Sequence, residues 1–237
     1  MAWSKSLAFL ACAAITCGAE PPSRDWQPRY REFVEIAEQP PYSDTVKARI
    51  IELLSQEAEL MLALDEAGES GTLGEGYGEY VSDLSELVFR FARRGDRAAA
   101  LALIRSAPPF NSVISRWLVS HYWREILSFE MNLTPRAQML YTYSIGRLGV
   151  LLRDHGEEIE PDLRRQMEER IINGLTSEDP NVEYYAIGAA RAAKLKAALP
   201  RLREIEARMR AGFRGSPPEK HNLNRILKAI EELEKLP

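Results

Sequence analysis

His121, Arg124, Glu125 and Ser128 stand at positions i, i+3, i+4 and i+7, with Trp117 one turn before the histidine. On a helix these side chains share one face. An imidazole and a carboxylate one turn apart can work as acid and base, or together orient a polar ligand. The same spacing also describes an ion pair on a solvated helix edge. Glu125 opens a second chemistry. Set against Glu79 or Asp83 across a cleft of about 5–10 Å, it would form the two-carboxylate centre of a glycoside hydrolase, and a secreted all-helical hydrolase acting on cell-wall polysaccharide is the alternative this leaves open. Tyr184 and Tyr185, with Tyr141 and Tyr143, supply aromatic surface. Within each pair the rings diverge around the helix, so one of each belongs to the core and the other is a candidate contact for a partner. The binding candidates are therefore Trp117, His121, Arg124, Glu125 and Tyr184, with no catalytic residue assigned.

Other chemistries lack their parts. Gly74, Gly76 and Gly78 precede a helix, but no strand leads in and no Lys-Ser or Lys-Thr pair closes a phosphate loop, while Glu75 and Glu79 would repel phosphate. That stretch reads as a connector, with Tyr77 or Tyr80 as its only contact residue for a partner. The three histidines are scattered, and both cysteines, Cys12 and Cys17, lie near the N-terminus, so neither a metal nor a cofactor is called for. A net charge of −4 argues against nucleic acid, which needs clustered, uncompensated Lys and Arg.

The first nineteen residues carry Lys5, an apolar run from Leu7 to Ile15, and small residues ending Cys17-Gly18-Ala19. This is the layout of a signal peptide cut after Ala19, and it predicts a secreted or periplasmic protein. A competing reading makes Cys17 the lipid anchor of a lipoprotein. The apolar run falls short of the ~20 residues a membrane-spanning helix needs. The organisation is then 1–19 signal peptide, 20–28 proline-rich linker and 29–237 a helical domain.

The elements that must position these residues are helices throughout. Apolar positions recur with helical spacing from Val46 to Leu64, after Ser43 as a cap, and from Val81 to Phe91. The segment from Phe110 to Phe129 is apolar nearly all round, which predicts central burial. Thr134-Pro135, Pro161 and Asp179-Pro180 read as helix starts, and Ser216 with Glu219 as a capping box.

"DPNVEYYAIGAARAAKLKAALPRL", Asp179 to Leu202, places Val182, Ala186, Ala189 and Ala193 on one face, small enough for a neighbouring helix to come close. A second helix after Lys196, with Leu202, Ile205 and Met209 inward, completes a hairpin too poor in core to stand alone. Pro161-Asp162-Leu163 precedes Pro200-Arg201-Leu202 by 39 positions. The segment resembles a HEAT-type repeat, a unit of about 40 residues, and the stretch from Val81 to Ile104 looks like a degenerate copy. The resemblance implies an all-α, right-handed α–α solenoid of HEAT-like hairpins. It further implies a non-enzymatic scaffold or adaptor that binds a protein or peptide through its curved surface.

Overall fold

The computed structural model of the protein describes residues 23–69, 71–107 and 112–237. The segment expected to be a signal peptide, Cys17 and the expected Pro108-Pro109 break lie outside the described residues. Ten α-helices make up the described chain: α1 (Gln27–Ala37), α2 (Asp44–Glu66), α3 (Tyr77–Ala92), α4 (Arg97–Arg105), α5 (Val113–Asn132), α6 (Gln138–His155), α7 (Pro161–Gly174), α8 (Pro180–Ala192), α9 (Leu199–Ala211) and α10 (Pro217–Glu234). No strand occurs among the described residues.

Half of the ten starts are capped by a side chain. The Ser43, Asp96, Ser112 and Asp179 side chains each accept an orphan amide proton of the first turn. The Ser216–Glu219 capping box forms in both directions. The start at Thr134-Pro135 does not hold. Those residues stay in a turn and α6 begins at Gln138, because its cap comes from elsewhere in the chain: Asp65, near the end of α2, accepts from the amides of Met139 at 3.0 Å and Leu140 at 2.9 Å. A carboxylate at a helix N-terminus satisfies both the orphan donors and the macrodipole.

Consecutive helices pack as α1 on α2, α3 on α4, α5 on α6, α7 on α8 and α9 on α10. The even helices also touch one another, in the order α4, α2, α6, α8, α10. The most extensive contact joins α6 to α8, and its cause is side-chain size. A Cβ placed on Gly149 of α6 would lie 2.5 Å from the Cα of Ala189, and one on Gly174 of α7 would lie 2.9 Å from the Ala186 Cβ. The alanine face of α8 thus receives two backbones at close range. Pairing is where the sequence reading needs correction: α8 packs on α6, α7 and α10, whereas α9 packs on α10. The hairpins are α7–α8 and α9–α10, not α8–α9. The 39-residue spacing survives the change, since it joins the start of α7 to the start of α9.

Helix α5 is not central. It packs on α4 and α6 through Leu118, Val119, Trp123, Ile126 and Leu127, while Arg116, Ser120, His121, Arg124 and Ser128 face solvent. Its aromatic residues made it look apolar on every side, but a break in helical geometry at Tyr122 (φ −135°, ψ 33°) separates two short amphipathic halves.

Candidate functional site

A groove of about 1100 Å³ runs along the even helices. Helix α6 presents Met139, Tyr143, Gly146, Val150 and Arg153 to it, a stripe at i, i+4, i+7, i+11 and i+14. Helix α8 adds Tyr184, Gly188 and Arg191, and α10 adds His221, Arg225, Lys228 and Glu232, each at the three-, four- and seven-residue spacing of one helix face. The ends of α2 and α4 close one side through Met61 and Arg105.

Aromatic rings form the wall. Tyr143 meets Tyr185 edge-on at 5.4 Å between centroids, and Tyr185 meets Tyr184 the same way at 5.6 Å. Edge-to-face pairs of this kind hold the rings in place while leaving faces available. All three rings are half-buried, so the expected division into one core and one exposed tyrosine per pair does not occur. A groove, unlike a convex surface, can partly cover both. Burial raises the Tyr185 hydroxyl above its usual range, with Tyr143 adding to the effect.

Arg225 lies over Tyr184, its guanidinium carbon 3.6 Å from the ring centroid. Gly188 makes this stacking feasible: a Cβ there would run into the guanidinium. The Nε of Arg225 is buried without a hydrogen-bond partner among the described residues. Desolvation lowers the pKa of this arginine, against a raising contribution from Tyr184, and the neighbouring Arg191 lowers it further.

The charge of the lining is lopsided. Arg105, Arg153, Arg191, Lys194, Arg225 and Lys228 are there, against the single carboxylate of Glu232. Not all six are equivalent. Arg105, Arg153 and Arg191 sit in the last turns of their helices, where they offset the negative end of the macrodipole. Arg191 also pairs with Glu232 at 3.1 Å, and Arg153 with Asp154 at 2.7 Å. Arg225, in the middle of α10, forms no salt bridge among the described residues.

Of the residues predicted from spacing, Tyr184 is in this groove and the four on α5 are outside it. His121 is exposed; its Nδ1 contacts the Trp117 carbonyl oxygen at 2.9 Å and its ring stacks on Trp117 at 4.6 Å. Glu125 does not pair with it, because Arg97 reaches that carboxylate at 3.0 Å. Arg124 lies over the Trp123 ring at 4.4 Å, and Trp117 packs edge-on against Phe89 at 5.4 Å. The α5 stripe is thus a solvated edge of ion pairs and stacked rings. Tyr77 and Tyr80, read as partner contacts, are buried instead and donate to Glu57, which also takes Arg29. Trp26 covers them, stacked on Tyr80. Burial next to the Glu57 carboxylate pushes both tyrosine hydroxyls far above their usual range.

Neither family models, nor curated proteins, nor solved structures give a match to this chain. No group of three or more potential metal ligands occurs among the described residues, and no helix there is long and apolar enough to cross a membrane.

The groove residues missed from the sequence had a readable signal. Tyr143, Gly146, Val150 and Arg153 repeat the order of Tyr184, Gly188 and Arg191: ring, glycine, then arginine along one face.

Proposed function

We propose that this protein is an exported, non-enzymatic adaptor built of HEAT-like hairpins, which binds a polypeptide segment in the groove along its even helices. The observation that carries the reading is the groove itself: three tyrosines in edge-to-face contact on two adjoining helices, roofed by an arginine, in a channel that crosses five elements. Tyrosine and arginine are the residues that most often dominate protein-binding energetics. A volume of about 1100 Å³ sits at or above the upper end of enclosed small-molecule pockets, which run ~300–1,000 Å³. An open channel of that size suits an extended segment.

The stacking arrangement supports the same reading. Each odd helix packs on the next even one, and the even helices adjoin in a row, as expected when hairpins with little core cover one another. Against the hydrolase reading stands the state of Glu125, which is bridged to Arg97 while Glu79 and Asp83 are exposed on α3.

Selection from a displayed library of random peptides tests the reading. Peptides recovered on the wild-type chain should lose at least about 10-fold in affinity to Tyr143→Ala and Tyr184→Ala, each removing a ring of the size that makes binding hot spots. They should bind Trp117→Ala and His121→Ala as they bind wild type. Recovery of no peptide, or groove variants that bind as wild type does, would overturn it.

A further inference from the structure

Arg225 has its cationic head against a tyrosine face, one nitrogen buried without a partner, another arginine close by, and no salt bridge among the described residues. Such a group is costly to hold. Other half-buried arginines of this protein have acceptors: Arg49 has Glu32 and Glu52, and Arg29 has Glu57, while Arg170, stacked on Tyr141 with its Nε likewise unpartnered, donates to the carbonyl oxygens of Glu130 and Leu133 and to the Ser144 hydroxyl. The stacking on Tyr184 fixes the plane of the guanidinium, and a guanidinium held in plane is prepared for charge-assisted hydrogen bonding to a carboxylate. Lys194 and Lys228, exposed on the same groove, likewise form no salt bridge among the described residues.

We propose that Arg225 is the seat of a carboxylate, and that the segment bound in the groove is an acidic peptide. This rests on the groove being the binding surface. An incoming carboxylate supplies the anionic partner that Arg225 lacks among the described residues and offsets the desolvation that burial imposes on the guanidinium. Charge complementarity selects the peptide over nucleic acid. The groove cations without carboxylate or helix-end partners cluster around α10 and do not form a long track, and the chain as a whole carries −4, which opposes a polyanion running beyond the groove.

Fluorescence anisotropy on the full domain tests this with two labelled peptide pools of about ten residues, ~33 Å when extended. One pool has Asp and Glu at alternate positions, the other Asn and Gln, with the remaining positions randomised. The acidic pool should bind at least about 10-fold more tightly, the range expected for losing charge-assisted hydrogen bonds. Arg225→Gln should abolish most of that difference and Arg225→Lys should restore part of it, while Lys194→Gln and Lys228→Gln, at exposed positions, should each reduce it two- to three-fold (roughly the worth of a surface charge). Amidating the C-terminus of the acidic pool separates a terminal carboxylate from side-chain ones.

Equal binding of the two pools overturns the carboxylate seat and leaves the peptide groove standing. Binding of neither pool overturns both. An oligothymidylate that binds more tightly than the acidic pool replaces the peptide with nucleic acid. If Arg225→Gln fails to fold by circular dichroism, the lysine variants decide, and an acidic preference that neither of them lowers overturns the proposal.

Discussion

Gly188 carries the sharpest separation of stability from binding at the scale of single residues. It lies inside α8, where alanine is worth about 1 kcal/mol more than glycine, and the three nearest atoms a new methyl group would meet all belong to the movable end of Arg225. Gly188→Ala should therefore fold at least as well as the wild type. Its melting temperature should stay level or rise by ~2–4 °C, the shift that 1 kcal/mol gives a chain of this size. The same methyl group displaces the guanidinium from Tyr184, so affinity for the acidic pool should fall towards that of Arg225→Gln. A variant that melts higher and binds as before would show that stacking on Tyr184 is not what prepares Arg225. At this scale the sequence revealed part of the site. Tyr184 was visible as a candidate, but His121 and Glu125 drew attention because helical spacing makes them neighbours, and spacing does not say which face meets solvent. Arg225 was silent for a related reason: its peculiarity is the lack of an acidic neighbour in space, and an absent contact leaves no pattern along the chain.

Between elements, a helix start can double as a joint. Asp179 caps α8 by accepting from the Asn181 amide at 2.8 Å, and its other oxygen accepts from the Gln138 side chain at 2.8 Å, at the start of α6. Gln138, then the α8 amides, hold its carboxyl below the usual range. A carboxyl depressed in the folded state stabilises above its unfolded pKa of ~3.9, and that stabilisation is lost as pH falls through the lower folded value. Asparagine caps about as well as aspartate but does not titrate. Urea unfolding of Asp179→Asn should thus match wild type within about 0.5 kcal/mol at pH 7, and the variant should lose less stability than wild type between pH 5 and pH 2. Parallel losses would mean that this joint contributes nothing to acid sensitivity. The helices themselves were legible because caps and apolar periodicity are local. The start of α6 was not, since its cap, Asp65, lies 74 residues before Met139, and neither was the partner of α8, since alanines specify closeness without specifying to whom.

At the scale of the molecule, the small residues on α8 and the row of even helices make opposite demands on cooperativity. Close contact of α6 with α8 ties neighbours firmly, yet α9 has α10 as its principal partner, and α10 has α8 and α9. In the proposed HEAT-like stack, stability is nearly a sum of nearest-neighbour terms, so damage at one end should stay there. Leu202, fully buried in α9, gives the means to see this: Leu202→Ala should cost about 2–5 kcal/mol locally. Native-state hydrogen exchange should then show amides of α9 and α10 opening at a lower free energy, while those of α2, α3 and α4 keep wild-type protection. Equal loss of protection across all helices would mean a single closed globule, and the HEAT-like stack would fall with it. The same arrangement explains how a chain with a net charge of −4 presents a basic channel. Packing brings one face of successive helices into register, so charges dispersed along the sequence gather on one side, and the proposed preference for acidic partners draws on that local excess, which the total charge conceals.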